Sequence, residues 1–474
     1  MNSEEITQSC HATETISPRA ADSRAASGLR VSLTGLSLTH NFAWTLVGNA
    51  MYAVCQWTMV IVLAKLGNVE MVGQLALAMA VALPITLLAN LQLRVVFVTD
   101  LDNKYPFGQM LGVRFVLSMV AIAAILLTCK FANYDAYSSR VIVLISLAQL
   151  VDCISENYYG ISQRYERMDR IAKSQVIRST LSLLGFTSAL YFTHSLFWAV
   201  LVMVFGRAVV LLAYDAGRCT FALADHHHHA YAGRLDTTLL ERIRPQWKPT
   251  KQLEMIWVAL PLGTVAIMCA LSVNIPRYAI QHYLGQRDLG IYSALNYIPT
   301  AGLMVTTALG NAAFARLSRL YFEGDLAAFR RLLLRGSAIC ITLGIAGLLA
   351  SAIVGRQVLA ILYRPEYAHR VDILLWLMVA GAVGSVTTFL GCAMTATSQF
   401  RMQLVLFLAV AASSALGCLL MIPRLGLTGA AFAVLASMVV QFVGTVLVIC
   451  RGMVTRARKL TADMSVGFGN VVGA

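Results

Sequence analysis

"MVGQLALAMAVALPITLLANLQLR", Met71 to Arg94, carries no charge until its last residue. A helix rises about 1.5 Å per residue, so a run of this length crosses the roughly 30 Å of hydrocarbon in a bilayer. Eleven further apolar blocks flank it, at roughly 39–65, 108–130, 139–163, 174–194, 196–216, 255–284, 290–315, 335–355, 372–397, 401–422 and 426–450, the 71–95 block being the second of twelve. The chain is therefore read as an all-α polytopic membrane protein with about 12 transmembrane helices. Of its 474 residues 58% are hydrophobic and only 13% charged. A net charge of +14 would point to nucleic acid in a soluble protein. Here the basic residues gather between apolar blocks, as membrane topology demands, and nucleic-acid binding is set aside.

Orientation follows from the basic residues. The tails and even-numbered loops hold 25 of the 37 lysines and arginines, and the odd-numbered loops hold 8. Both termini are therefore expected in the cytoplasm of a cell (inner) membrane protein. Residues 1–38, polar and without an apolar core, read as a disordered cytoplasmic tail with no cleavable signal peptide. The longest polar interruption follows the sixth block and divides the chain into six spans plus six. The expected domains are a lobe at 39–218, a cytoplasmic linker at 219–254, a lobe at 255–451 and a cytoplasmic tail at 452–474. Within the linker, "LDTTLLERI" and "RPQWKPTK" (Leu235 to Lys251) read as a short helix and a membrane-surface stretch. The run His226 to His229 reads as solvated, because adjacent imidazoles cannot all reach one ion and no Cys or carboxylate cluster completes a site. The ten cysteines form no CxxC pair and read as small hydrophobes. No metal and no cofactor is expected.

The halves resemble each other. Trp44, "LGNVEMVG" (Leu66 to Gly73) and Pro84 are followed at offsets of 213, 218 and 215 by Trp257, "LGQRDLG" (Leu284 to Gly290) and Pro299. With an even number of spans per half, such a repeat is parallel, its pseudo-twofold along the membrane normal.

Polar residues recur at helical spacing within three blocks: Asn41, Thr45, Asn49, Tyr52 and Gln56; Gln149, Asp152, Glu156, Tyr159 and Gln163; Tyr292, Asn296, Thr300, Thr307 and Asn311. Steps of three and four put each set on one face, as interhelical ties or as a pore lining. Charges argue for the lining, since one at mid-membrane depth costs at least about 2.5 kcal/mol and normally faces a cavity or a partner. Arg94, Arg114 and Arg178 fall in the cytoplasmic half, where snorkelling to the interface is an alternative. Arg207 lies mid-span and Arg277 toward the outer end. Two acids lie deep in one block, Asp152 and Glu156, as ion-coupling sites or as partners for Arg207 or Arg178. Asn49, Gln56, Asn90 and Asn296 complete the candidate substrate contacts. Pro84, Pro261, Pro276 and Pro299 are candidate hinges. Enzyme readings are set aside: the outer loops are short and poor in acids, and no P-loop is present.

The run Gly48 to Asp100, with its Gly48/Gln56 helix, "LAKLG" (Leu63 to Gly67), Glu70, Gly73, "NLQLR" and the Thr99–Asp100 ending, resembles the opening of Wzx-like polysaccharide flippases. These form the polysaccharide transporter family of the multidrug/oligosaccharidyl-lipid/polysaccharide exporter superfamily. "RLSRLYFEGDLAAFRRLLLRG" (Arg316 to Gly336) resembles that family's basic connection after the eighth span. The resemblance implies two six-helix lobes around a cavity that opens alternately to either side. It implies a polyprenyl-diphosphate-linked oligosaccharide as substrate, for O-antigen (lipopolysaccharide), capsule or exopolysaccharide synthesis. Implied partners are that lipid-linked substrate, membrane lipids, and a polysaccharide polymerase with chain-length proteins. Arginine forks suit phosphate oxygens, and amides and hydroxyls suit sugars. Two competing readings are a cation-coupled drug or metabolite exporter of the same superfamily and a non-transporting membrane scaffold for glycan assembly.

Overall fold

The computed structural model describes residues 38–100, 104–217, 245–397 and 400–472. The expected N-terminal tail, most of the linker and its histidine run lie outside the described residues. The first half contains α1 (Leu38–Leu66), α2 (Val69–Asn90), the short α3 (Leu93–Thr99), α4 (Phe107–Phe131), α5 (Ala136–Arg164), α6 (Met168–Thr193) and α7 (Leu196–Val210), which continues through a π-turn, Leu211–Ala216. The second contains α8 (Pro249–Tyr283), α9 (Gln286–Glu323), α10 (Leu326–Leu362), the single turn α11 (Pro365–Ala368), α12 (Val371–Ala396), α13 (Phe400–Leu425) and α14 (Leu427–Val472). Ten of the described helices are long and apolar enough to cross a membrane, and the bent α9 makes an eleventh. The remaining long helix, α6, has 26 residues, but Asp169, Arg170, Lys173 and Arg178 confine its uncharged stretch to Ser179 onward.

The repeat is visible in the packing. In the first half α1 packs on α6, α6 on α7, α2 on α5 and α5 on α7. In the second, α8 packs on α13, α13 on α14, α9 on α12 and α12 on α14, the same pairs one repeat later. The lobes meet where α2 lies against α8 and α9. In α2, 61% of the span is buried against 11% in α10, so α2 is central and α10 faces the bilayer. Ala76, Ala78, Ala80 and Ala82, all buried, let neighbouring backbones approach, the mode of packing available where lipid removes the hydrophobic drive.

Chain direction is set by local chemistry. Asn68 caps α2, its Oδ1 accepting from the Met71 amide at 2.7 Å, and Asp135 caps α5 in the same way at 3.0 Å from Ser138. Pro84 and Pro299 lie inside α2 and α9 at matching places in the repeat. Gly381 of α12 leaves the space that the Pro299 ring fills. The described cysteines are all free and mostly buried. Two expected boundaries shift. The helix carrying the seventh block begins at Pro249, ahead of 255, because proline is favoured in a first helical turn, and α14 continues past the last apolar block to Val472.

Candidate functional site

The α2 helix does not end as one apolar block. Leu91 (φ 39°) and Gln92 (φ 53°) are both left-handed, an uncommon conformation for residues with a Cβ, and together they break the helix before Arg94. Leu91 is buried against Gly263 of α8, where a methyl group would strike its side chain. The break turns Arg94 inward. Its Nη1 meets Glu156 Oε2 at 2.8 Å, its Nε donates to Gln163 Oε1 at 2.7 Å, and its guanidinium lies over the Tyr159 ring at 5.8 Å. Arg94 therefore does not snorkel.

Helix α5 is the spine of the site. Gln149, Asp152, Glu156, Tyr159 and Gln163 climb one face, and each meets a neighbouring helix. Thr86 of α2 donates to Gln149 Oε1 at 2.6 Å. Asp152 stands between two arginines: Arg207 Nη1 of α7 is 2.5 Å from Oδ2, and Arg178 Nη1 of α6 is 3.0 Å from Oδ1 but misaligned for a hydrogen bond. Arg178 also lies against the Tyr159 ring, at 5.5 Å, so Arg94 and Arg178 share one aromatic neighbour. The Nε atoms of Arg178 and Arg207 are buried without an acceptor, beside a small gap lined by Tyr52 and Gln56 of α1. Three guanidinium groups thus share two carboxylates, and two retain unused donors. Buried guanidinium donors without acceptors form an anion-binding arrangement, although Asp215 is a further acid that acts on Arg178.

This cluster forms one side of a cavity of about 260 Å³ walled by α1, α2, α5 and α7, with Tyr297 of α9 entering from the other lobe. Gln56, Asn90, Asp152, Glu156 and Arg207 all line it. A second cavity of about 160 Å³ holds Arg277 of α8 and shares Met79, Leu83, Gln149 and Tyr297 with the first. The two arginines placed deepest by the sequence, Arg207 and Arg277, therefore both face cavity at the lobe boundary.

Three expected contacts are positioned elsewhere. Arg114 has no exposed surface: it donates to the Ala89 carbonyl at 2.6 Å and to Asn157 Oδ1 at 2.8 Å, with Asn90 Oδ1 at 3.4 Å. It ties α4 to α2 and α5, and its fork is held by neutral oxygens away from the cavities. Asn49 is exposed on α1 and Asn296 half-buried on α9, and neither lines a described cavity. A third intramembrane acid was missed. Asp215, at the end of the sixth block, is buried in the π-turn, where Oδ1 accepts from Ser174 Oγ at 2.5 Å, which in turn meets the Tyr159 hydroxyl at 2.8 Å. Its signal was an acid in an otherwise apolar block. No group of three or more His, Cys, Asp or Glu able to hold a metal occurs among the described residues.

Between the start of α4 and the start of α8, Lys104 and Glu254 form an exposed ion pair, which raises the lysine pKa and lowers that of the glutamate. The Gln246 amide donates to the Gly108 carbonyl at 2.8 Å, so the chain leading into α8 is laid along the start of α4.

The family model described as "Polysaccharide biosynthesis protein" matches residues 38–321. The capsular polysaccharide biosynthesis protein CapF of Staphylococcus aureus is 25% identical over 411 residues, 86% of this chain and 98% of that protein. Among solved structures, an inward-facing multidrug resistance MATE family transporter superposes with a TM-score of 0.68 at 12% identity, over 87% of this chain and 99% of that one. The lipid II flippase MurJ in an inward closed conformation gives 0.68 at 8% identity, over 90% and 93%. An outward-facing MATE transporter gives 0.55 at 12% identity, over 88% and 95%.

Proposed function

The chain belongs to the polysaccharide biosynthesis protein family, and from that premise we propose that it moves a polyprenyl-diphosphate-linked oligosaccharide across the cytoplasmic membrane by alternating access. The observation that carries this reading is Asp152 holding Arg178 and Arg207 at the edge of the 260 Å³ cavity. Diphosphate oxygens accept hydrogen bonds where Asp152 and Glu156 now do, and the buried Nε donors provide further positions. Gln56, Gln149 and Asn90 supply amides for sugar hydroxyls, while the lipid tail stays in the bilayer. Both acids in this cavity are already paired with guanidinium groups, which favours an anionic cargo over the cationic drug of the exporter reading.

With the termini in the cytoplasm, as the distribution of basic residues supports, the α2–α9 crossing near Gly73 faces outward and closes that side. The better superposition on the two inward forms agrees with such a state. The test is complementation of cells lacking the gene by Arg207→Ala, Arg277→Ala or Asp152→Asn. The expected result is loss of surface polysaccharide with accumulation of its lipid-linked precursor. Normal export by stable, membrane-inserted forms of all three overturns the assignment.

A further inference from the structure

We infer that the second cavity is a separate anion subsite, built around Arg277 for a negatively charged group on the glycan itself, such as the carboxylate of a uronic acid. The inference rests on the flippase reading and specifies its substrate. Each arginine at the first cavity has a carboxylate: Asp152 for Arg178 and Arg207, Glu156 for Arg94. Arg277 has none among the described residues. Its hydrogen-bond partner is neutral, Asn274 Oδ1 at 2.8 Å, and Asn274 is itself fixed by donating to the Ala270 carbonyl at 2.8 Å. The lack is systematic among the described side chains: Asp288, Glu323, Glu366 and Asp372 sit in the first or last turns of their helices, and Glu254, in the second turn of α8, is exposed and paired with Lys104. A guanidinium held inside a lobe with no interior acid takes its counter-charge from the cavity it faces.

A second observation points to a ligand. Ser293 lines the same cavity, is 1% exposed, and its hydroxyl has no hydrogen-bond partner. Buried hydroxyls are ordinarily satisfied, so this one is aimed at something the cavity receives. Gln149 and Tyr297 add polar groups to the lining beside Met79 and Leu83. One guanidinium, one hydroxyl and one amide suit a monoanion bearing hydroxyls. A diphosphate needs more than one cation, and the first cavity has three nearby. Because the two cavities share a wall at the lobe boundary, diphosphate and acidic sugar bind side by side, each against its own arginines.

The test uses two synthetic polyprenyl-diphosphate trisaccharides, identical except that one carries glucuronic acid where the other carries glucose. Binding of each to the full-length chain in lipid nanodiscs is measured for the native protein, Arg277→Gln and Arg277→Lys. A charge-assisted hydrogen bond at a desolvated site predicts at least about tenfold tighter binding of the acidic compound by the native chain. Arg277→Gln removes that preference by lowering the acidic compound's affinity to that of the neutral one, and Arg277→Lys keeps part of it. Equal binding of both compounds by the native chain overturns the inference alone and needs no variant to fold. A uniform loss of both in Arg277→Gln also overturns it, by assigning Arg277 to the shared diphosphate. Binding of neither compound overturns the flippase reading along with it.

Discussion

Gly73 and Gly290 meet backbone to backbone across the lobe boundary. A methyl group built on Gly73 would collide with the carbonyl of Gln286 and lie 3.1 Å from the Gly290 amide nitrogen; one on Gly290 would collide with the carbonyl of Val69 and lie 3.0 Å from the Gly73 nitrogen. Each contact is thus the other's counterpart under the pseudo-twofold, and the two glycines mark where that axis passes between α2 and α9. Gln74 and Gln286 pair beside it at 3.2 Å, and Trp57 reaches the Tyr363 hydroxyl at 3.2 Å.

Because rigid backbone stands on both sides, Gly73→Ala is expected to push α2 and α9 apart at a cost of about 1–3 kcal/mol. The melting temperature of purified protein should fall, and Gly290→Ala should behave alike. As the two share one contact, the double variant should lose less than the sum of the singles. Unchanged melting in both singles would show that this crossing does not hold the lobes.

Asp152 and its arginines predict an asymmetry. Asp152→Asn strands two buried cations, which by the usual cost of breaking a buried pair is worth about 3–5 kcal/mol. Arg207→Gln leaves Asp152 its second partner, Arg178, 3.0 Å away. Asp152→Asn should therefore unfold at the lower temperature, though both should lose export. The reverse order of melting would mean that Asp152 does not neutralise the pair.

Arg114→Lys separates a tie from a substrate contact. An ammonium cannot span the Ala89 carbonyl and Asn157 Oδ1 that the guanidinium bridges at 2.6 and 2.8 Å. Losing one charge-assisted hydrogen bond should cost about 2 kcal/mol in stability. Substrate affinity of the folded fraction should be unchanged; a selective loss of affinity would return Arg114 to the binding site.

Leu83 lines both cavities and is 40% exposed. Leu83→Cys, in a chain whose ten native cysteines are replaced, should react with an impermeant maleimide from the cytoplasmic side of inside-out vesicles but not from intact cells. Adding Gly73→Ala should admit the reagent from outside. Labelling from intact cells without that change would reverse the proposed orientation or the closed side.

The α5 stripe illustrates what was legible. Gln149, Asp152, Glu156, Tyr159 and Gln163 share a face because 3.6 residues make a turn, and that follows from spacing alone. Pairing of Asp152 with Arg207 or Arg178 was also foreseeable, since an unpaired charge is the costlier arrangement in a membrane. That Asp152 takes both arginines was not, because three helices must be placed before the distances exist. The inward turn of Arg94 was not legible for a local reason: two left-handed residues interrupt its helix, and neither is the glycine or asparagine that would have announced it.

By itself the sequence determined that this is a membrane-spanning helical chain, that its halves repeat, and which charges would be expensive to bury. Those properties depend on segment length, composition and helical period, all local. Only the tertiary structure decided which charges are spent on one another. Arg114 is consumed by carbonyl and amide oxygens, Arg94, Arg178 and Arg207 share Asp152 and Glu156, and Arg277 is left facing a cavity without an acid. The physical reason is range. A guanidinium's state in a low-dielectric interior is set by groups within a few ångströms, and in a helix bundle most of those come from chain segments tens or hundreds of residues away.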